Sequence, residues 1–230
     1  MENKMGSVEN QSAWIKKILL SCGILSSLLY VGVVITAPFF WENYDRTSQS
    51  VSELFAIGAP STAFVVPFFN LYALLIYAFG AGVWLSAGTK RSLKIAAALI
   101  IAKEVLGLIG TVFGPMHLRG AGTGPTDTVH AVVTGIGVLL CMFPAIGFAA
   151  ASFGKGFRVY SISTMGVFLV CGVSAGMQGT NVAANLPTPY LGVLERVNIY
   201  TYMLWIVLLS ITILRNQQKA SDSLIQGLYR

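Results

Sequence analysis

Charge is scarce in this sequence. Only 10% of its 230 residues are Asp, Glu, Lys or Arg, while 55% are hydrophobic. A soluble domain carries about 25% charged residues, and the mean hydropathy of +0.71 points the same way. An ordinary water-soluble domain is therefore excluded. Histidine is scarcer still, with His117 and His130 its two copies. The three cysteines, Cys22, Cys141 and Cys171, stand singly inside apolar runs. They lack the spacing of a zinc or redox motif and read as small buried hydrophobes. H-E-x-x-H does not occur, which disfavours the common zincin type.

Long apolar runs are what the chain has in plenty. A membrane helix needs about 20 mostly apolar residues, and six runs qualify: 14–40, 62–87, 93–114, 130–153, 159–180 and 191–214. Lys16 and Lys17 precede the first run, as in a signal peptide. Its apolar stretch is longer than a signal h-region and no A-x-A site follows, so it reads as a retained helix. The expected fold class is all-α: a polytopic membrane bundle of six transmembrane helices over residues 14–214, with tails at 1–13 and 215–230.

Lys and Arg orient it. Lys4, Lys16, Lys17, Lys90, Arg91, Lys94, Lys155, Arg158, Arg215, Lys219 and Arg230 fall on one side, and only Arg46 and Arg119 lie in loops on the other. Cytoplasmic loops carry the excess of Lys and Arg, so both termini are expected in the cytoplasm. The net charge of +6 is thus a topological signal, and no nucleic-acid partner is expected. The two basic connections, 88–92 and 154–158, are tight. Loops 41–61, 115–129 and 181–190 on the other side are longer and polar, and long loops are more often functional than mere connections.

Polar chemistry gathers on those longer loops. MHLRGAGTGPTDTVH (116–130) holds both histidines, Arg119 and Asp127. Helices 2, 4 and 6 each bring an acidic residue to their start on this side: Ser52-Glu53, Asp127 with His130, and Glu195-Arg196. A helix N-terminus has unpaired N–H groups and a partial positive charge, so each carboxylate could be a cap alone. Ser50 and Glu53 have the spacing of a capping box. Three such starts on one side, each with a second polar group, point to a shared site. The candidate acid–base residues are Asp127, His130, Glu53 and Glu195. Asp127 and His130, three apart, would share a helix face, and an imidazole oriented by a carboxylate exchanges protons near neutral pH. Ser52, His117, Arg119 and Arg196 are candidates for holding a substrate. Arg196 cannot pair with the adjacent Glu195, so the expected pairs are Arg196 with Glu53 or Asp127, and Arg119 with Glu195. No cofactor is indicated. A divalent metal is left open, with His117, Asp127 and His130 as its ligands, but their spacing matches no zinc motif.

Lys103 and Glu104 stand apart, about ten residues into helix 3 and near mid-membrane. Charges there cost at least about 2.5 kcal/mol each on insertion scales and usually face the bundle interior. Glu104 is the stronger candidate to face inward and bind an ionic group. Glycines at Gly107, Gly110 and Gly114 of helix 3, and at Gly172, Gly176 and Gly179 of helix 5, have the spacing of helix-packing seams.

The segments YDRTSQSVSELFAIGAP, FGPMHLRG with D-x-x-H, and GVLERVNIY followed by a Trp resemble the family catalogued as DUF998, over about residues 14–214. The resemblance implies a six-helix integral membrane protein of a bacterial plasma membrane. It implies no chemistry. Zinc-dependent membrane hydrolases of the ceramidase type carry H-x-x-x-H in a late helix, and this chain does not. Two functional expectations follow. One is acid–base chemistry in an outward-facing polar pocket, on a lipid or other amphiphilic small molecule. The other is a non-catalytic small transporter, lipid-binding or membrane assembly protein. Membrane lipids are partners in either case. The sequence leaves the oligomeric state open.

Overall fold

The computed structural model describes the backbone of residues 2–228 and the side chains of residues 11–220, 222, 223 and 226. Among these residues the regular elements are all helical. We number the long helices α1 (Glu2–Thr36), α2 (Thr62–Ser86), α3 (Arg91–Phe113), α4 (Pro125–Ser152), α5 (Lys155–Gly176) and α6 (Leu191–Leu228). All six contain a stretch long and apolar enough to cross a membrane. The six runs are thus found where expected, within a few residues. The segment 215–228, read as a tail beyond the membrane domain, continues α6 as helix.

Each helix packs against its neighbours in sequence, and α6 returns to α1, so the bundle closes as a ring. Its core includes Leu20, Phe79, Ile100, Ile146, Trp205 and Ile206, all fully buried. The Trp205 indole N–H donates to Ser161 Oγ at 3.1 Å. Between helices in lipid the attraction comes mainly from close packing, because the tails are as apolar as the side chains. The contact of α1 with α2 relies on small residues. A methyl added to Gly23 would lie 2.5 Å from the Phe79 ring, and one on Gly82 would lie 2.8 Å from Leu19 Cβ.

The two expected glycine seams fare differently. Gly114 meets α4 closely, its added methyl lying 2.8 Å from the His130 backbone nitrogen, and Gly110 faces Val133. Gly176 and Gly179 have nothing within 4 Å, and Gly172 meets only Asn198 at 3.6 Å. The spacing on α5 is therefore no tight seam, because its outer turns do not press on a neighbour.

Helix α4 changes character along its length. Pro144 cannot donate a backbone hydrogen bond to the preceding turn, and residues Gly137–Met142 take a widened π turn just before it. After that turn the helix packs against both α3 and α5; before it, over Pro125–Ile136, its packing partner is α3. No residue of Pro125–Ile136 is buried.

One end of the bundle has the short basic connections, and the other has the three longer loops. At the long-loop end the chain leaves α1 through a 3-10 turn at Ala37–Phe40 and makes a second at Ser52–Phe55. The Ile57 N–H then donates to the Met116 carbonyl at 2.8 Å, tying the first long loop to the second. Gly120 and Gly122 adopt φ of 77° and 86°, a left-handed region that favours glycine.

Candidate functional site

The first long loop is built by its own polar side chains. The Asp45 carboxylate accepts from Ser48 Oγ at 2.6 Å and from the Thr47 N–H at 2.9 Å. The Ser48 hydroxyl, then the backbone N–H of Thr47, hold this exposed carboxyl below the usual range. Ser50 and Glu53 form the expected capping box on the 3-10 turn. The Ser50 N–H donates to Glu53 Oε2 at 2.7 Å, and the Glu53 N–H donates to Ser50 Oγ at 3.2 Å.

Three other segments reach in and hold this loop. Glu53 is fully buried and takes a two-pronged ion pair from Arg119, with Nε to Oε1 and Nη2 to Oε2 both 3.1 Å. Arg119 also donates to Thr188 Oγ1 at 2.7 Å and to the Ser48 carbonyl at 3.1 Å. Glu195, on the second turn of α6, accepts from the Val51 N–H and from Ser52 Oγ. Arg196 donates to the carbonyls of Arg46, Gln49 and Gly192 and, at 2.8 Å, to the Tyr44 hydroxyl. Tyr44 in turn donates to the Ser50 carbonyl at 2.6 Å. Burial pushes the Tyr44 hydroxyl up to about 12, although Arg196 opposes this, so it stays a donor at neutral pH.

The partners differ from those expected. Arg119 meets Glu53, not Glu195, and Arg196 finds carbonyls and a tyrosine instead of a carboxylate. Glu53, Glu195, Ser52, Arg119 and Arg196 do converge, but on loop 44–53, with their hydrogen-bonding groups engaged in holding it.

Asp127 and His130 are not paired. Asp127 sits in the first turn of α4 and reaches back along the chain. Its carboxylate accepts the N–H groups of His117 and Gly124 and contacts His117 Nδ1, each at 2.7 Å. The Gly124 bond is the helix cap, since that N–H has no partner within the helix. His117 is thus the oriented imidazole, and its side chain keeps 35% of its exposure. His130 turns the other way, with Nδ1 3.1 Å from the Gly114 carbonyl and its ring 6.3 Å from that of Phe55. A shared helix face placed the two side chains near each other, but unpaired loop N–H groups drew the carboxylate away. Among the described residues no three His, Cys, Asp or Glu side chains gather as metal ligands would, so His117, Asp127 and His130 do not fit the metal reading.

Glu104 does face inward. Midway along α3, it is 6% exposed and pairs with Lys103 at 3.1 Å. The Lys103 ammonium lies 5.8 Å from the centroid of the Tyr72 ring and 5.5 Å from that of Tyr202. Both rings are buried; the Tyr202 hydroxyl and Asn198 Oδ1 have no hydrogen-bond partner, and the Tyr72 hydroxyl lies toward the Glu104 carboxylate without closing a bond within 3.5 Å. On α6, Glu195, Asn198 and Tyr202 are spaced i, i+3, i+7 and so share one face. A polar stripe therefore descends α6 from the long-loop end to the depth of Glu104. Sequence reasoning missed Tyr44, Thr188, Tyr72, Asn198 and Tyr202. Only Asn198 carried a signal, as the next polar residue on the face of Glu195.

These features define a class: an integral, multi-pass membrane protein of six helices, with a pinned loop over one end and an ion pair inside. The chain belongs to the protein family of unknown function DUF998, whose sequence model matches residues 24–212. Neither a curated protein nor a solved structure matches the chain.

Proposed function

We propose that this protein binds an amphiphilic small molecule within the bundle and does so without catalysis, as a carrier or lipid-binding protein. The observation that carries this reading is the set of buried polar groups without partners: the Tyr72 and Tyr202 hydroxyls and Asn198 Oδ1, beside the charged pair of α3. Leaving a buried donor or acceptor unpaired costs about 1–3 kcal/mol, and the cost is felt fully where lipid supplies no alternative partner. Such groups make sense if a ligand meets them. The half of α4 that packs chiefly on α3 leaves its flank toward α5 as the lateral route for an acyl chain. The excess of Lys and Arg at the short-loop end supports an orientation with the long loops and this route outside the cytoplasm.

The reading is tested by the variant Tyr72→Phe/Tyr202→Phe/Asn198→Leu, purified beside the wild type. Solvent extracts of both are examined by mass spectrometry for a co-purifying amphiphile. Expected is a stoichiometric amphiphile on the wild type, lost from the variant at unchanged or raised thermal stability. Retention of the same molecule by the variant would remove the basis of the proposal.

A second reading has its own observation. Asp127, fixed by two backbone N–H groups, holds His117 through Nδ1 and leaves Nε2 free in a partly exposed ring. That is the arrangement of a general base, here on an amphiphile at the membrane surface. The variants His117→Gln and Asp127→Asn separate the cases. Altered cellular lipid composition at normal folded yield supports the base, and loss of yield alone makes the pair a loop staple.

A further inference from the structure

Resting on the binding reading above, the geometry points to the kind of ligand. We propose that the Glu104 carboxylate and the ring faces of Tyr72 and Tyr202 form a cation site. Lys103 fills it from within the chain. The ligand is an organic ammonium bearing an oxygen acceptor, which displaces the lysine.

A carboxylate with two aromatic faces is the chemistry that recognises an ammonium, through charge and through the negative ring quadrupole. Here all three meet one nitrogen: Lys103 Nζ lies 3.1 Å from Glu104 Oε2 and within 6 Å of both ring centroids. Lys103 is a poor permanent occupant. Adjacent helix positions point about 100° apart, so its stem must fold round α3 to reach a carboxylate on another face. The lysine side chain keeps 23% of its exposure, against 8% for Glu104, so room lies beside the stem. A lysine tethered next to its carboxylate competes with free ligand at an effective concentration of about millimolar or more. Its role is to hold the site shut against weak cations.

The unpartnered Tyr202 hydroxyl supplies the second half of the specificity. A lone ammonium would satisfy Glu104, toward which the Tyr72 hydroxyl already lies, and leave the Tyr202 hydroxyl without an acceptor. An ammonium with a nearby oxygen gives it one. Asn198, one turn above Tyr202 on the same face of α6, extends this polar path toward the long-loop end. The shared chemistry is that of ethanolamine, either free or as the head group of a phospholipid.

The test uses the full chain in lipid nanodiscs, with thermal unfolding as readout. In phosphatidylglycerol discs, Lys103→Met should bind free ethanolamine about tenfold or more tighter than the wild type, because the tethered competitor is gone. Lys103→Met/Glu104→Gln, which removes both charges, should fold and show no response. If Lys103→Met folds poorly, ethanolamine present during extraction should restore its yield, and should not do so once Glu104 is Gln. A response to phosphatidylethanolamine discs with none to free ethanolamine assigns the site to a lipid head group. No response to either, or a response that survives Glu104→Gln, overturns the cation site. Should an amphiphile nevertheless leave with the Tyr72, Tyr202 and Asn198 substitutions, the interior binding site stands and only its proposed cation specificity fails.

Discussion

Replacing Arg119 by methionine is expected to destabilise the protein by about 3–5 kcal/mol, the usual cost of stripping one partner from a buried ion pair. Glu53 is fully buried, and Arg119 meets both of its oxygens at 3.1 Å. Without the guanidinium, the carboxylate keeps only the Ser50 and Gln49 donors. Arg119 also anchors Thr188 and the Ser48 carbonyl, so the loss loosens three loops together. Lysine at 119 should recover only part of the stability, since it cannot supply the two-pronged geometry. The double variant Arg119→Met/Glu53→Gln should recover more, because the stranded charge is gone. Thermal unfolding in one detergent, with limited proteolysis of loop 41–61, measures all three. Equal melting of the single and double variants would mean that the pair does not act as a unit. Added salt should change the wild type little, as buried pairs are poorly screened.

A second large effect is expected at Gly192. The first turn of α6 lies directly on the first loop, and the Gly192 N–H donates to the Thr47 carbonyl at 2.9 Å. A methyl on Gly192 would press on the carbonyl oxygens of Arg46 and Gln49 and on Arg196 Nη1. Two of those obstacles are backbone, and the third is the side chain that holds them. Gly192→Ala should therefore cost about 1–3 kcal/mol, the range for overpacking, and Gly192→Val more. Gly166→Ala on α5 is the matching control. Nothing lies within 4 Å of its added methyl, and alanine is the better helix former by about 1 kcal/mol, so its melting should hold or rise. If Gly192→Ala melts with Gly166→Ala, the helix does not bear on the loop as described.

The residues that matter at the long-loop end could be named from sequence more easily than their partners. Glu53, Arg119, Glu195 and Arg196 stand out because charge is rare and these lie beside loops. Their pairing does not follow from that. Arg119 meets a carboxylate 66 residues away and Glu195 a backbone N–H 144 residues away. Such contacts depend on the path of each loop and the rotation of each helix. The capping box at Ser50 and Glu53 was legible because it is local. The same local rule misled at Asp127, where a shared helix face suggested His130 and the unpaired N–H groups of the preceding loop prevailed. Spacing likewise marked a glycine seam on α5, but a seam also needs a neighbour at the right height, which spacing does not supply.

By itself the sequence determined the six membrane-crossing segments, the gathering of Lys and Arg at one end, and the short roster of ionisable side chains. These follow from transfer of side chains between water and lipid, which acts residue by residue along the chain. Only the tertiary structure decided that four charged residues clamp a loop, that His117 takes Asp127, and that Lys103 lies between two tyrosines from α2 and α6. Those contacts are set by distances between helices, and an ion pair or hydrogen bond changes with every ångström of separation.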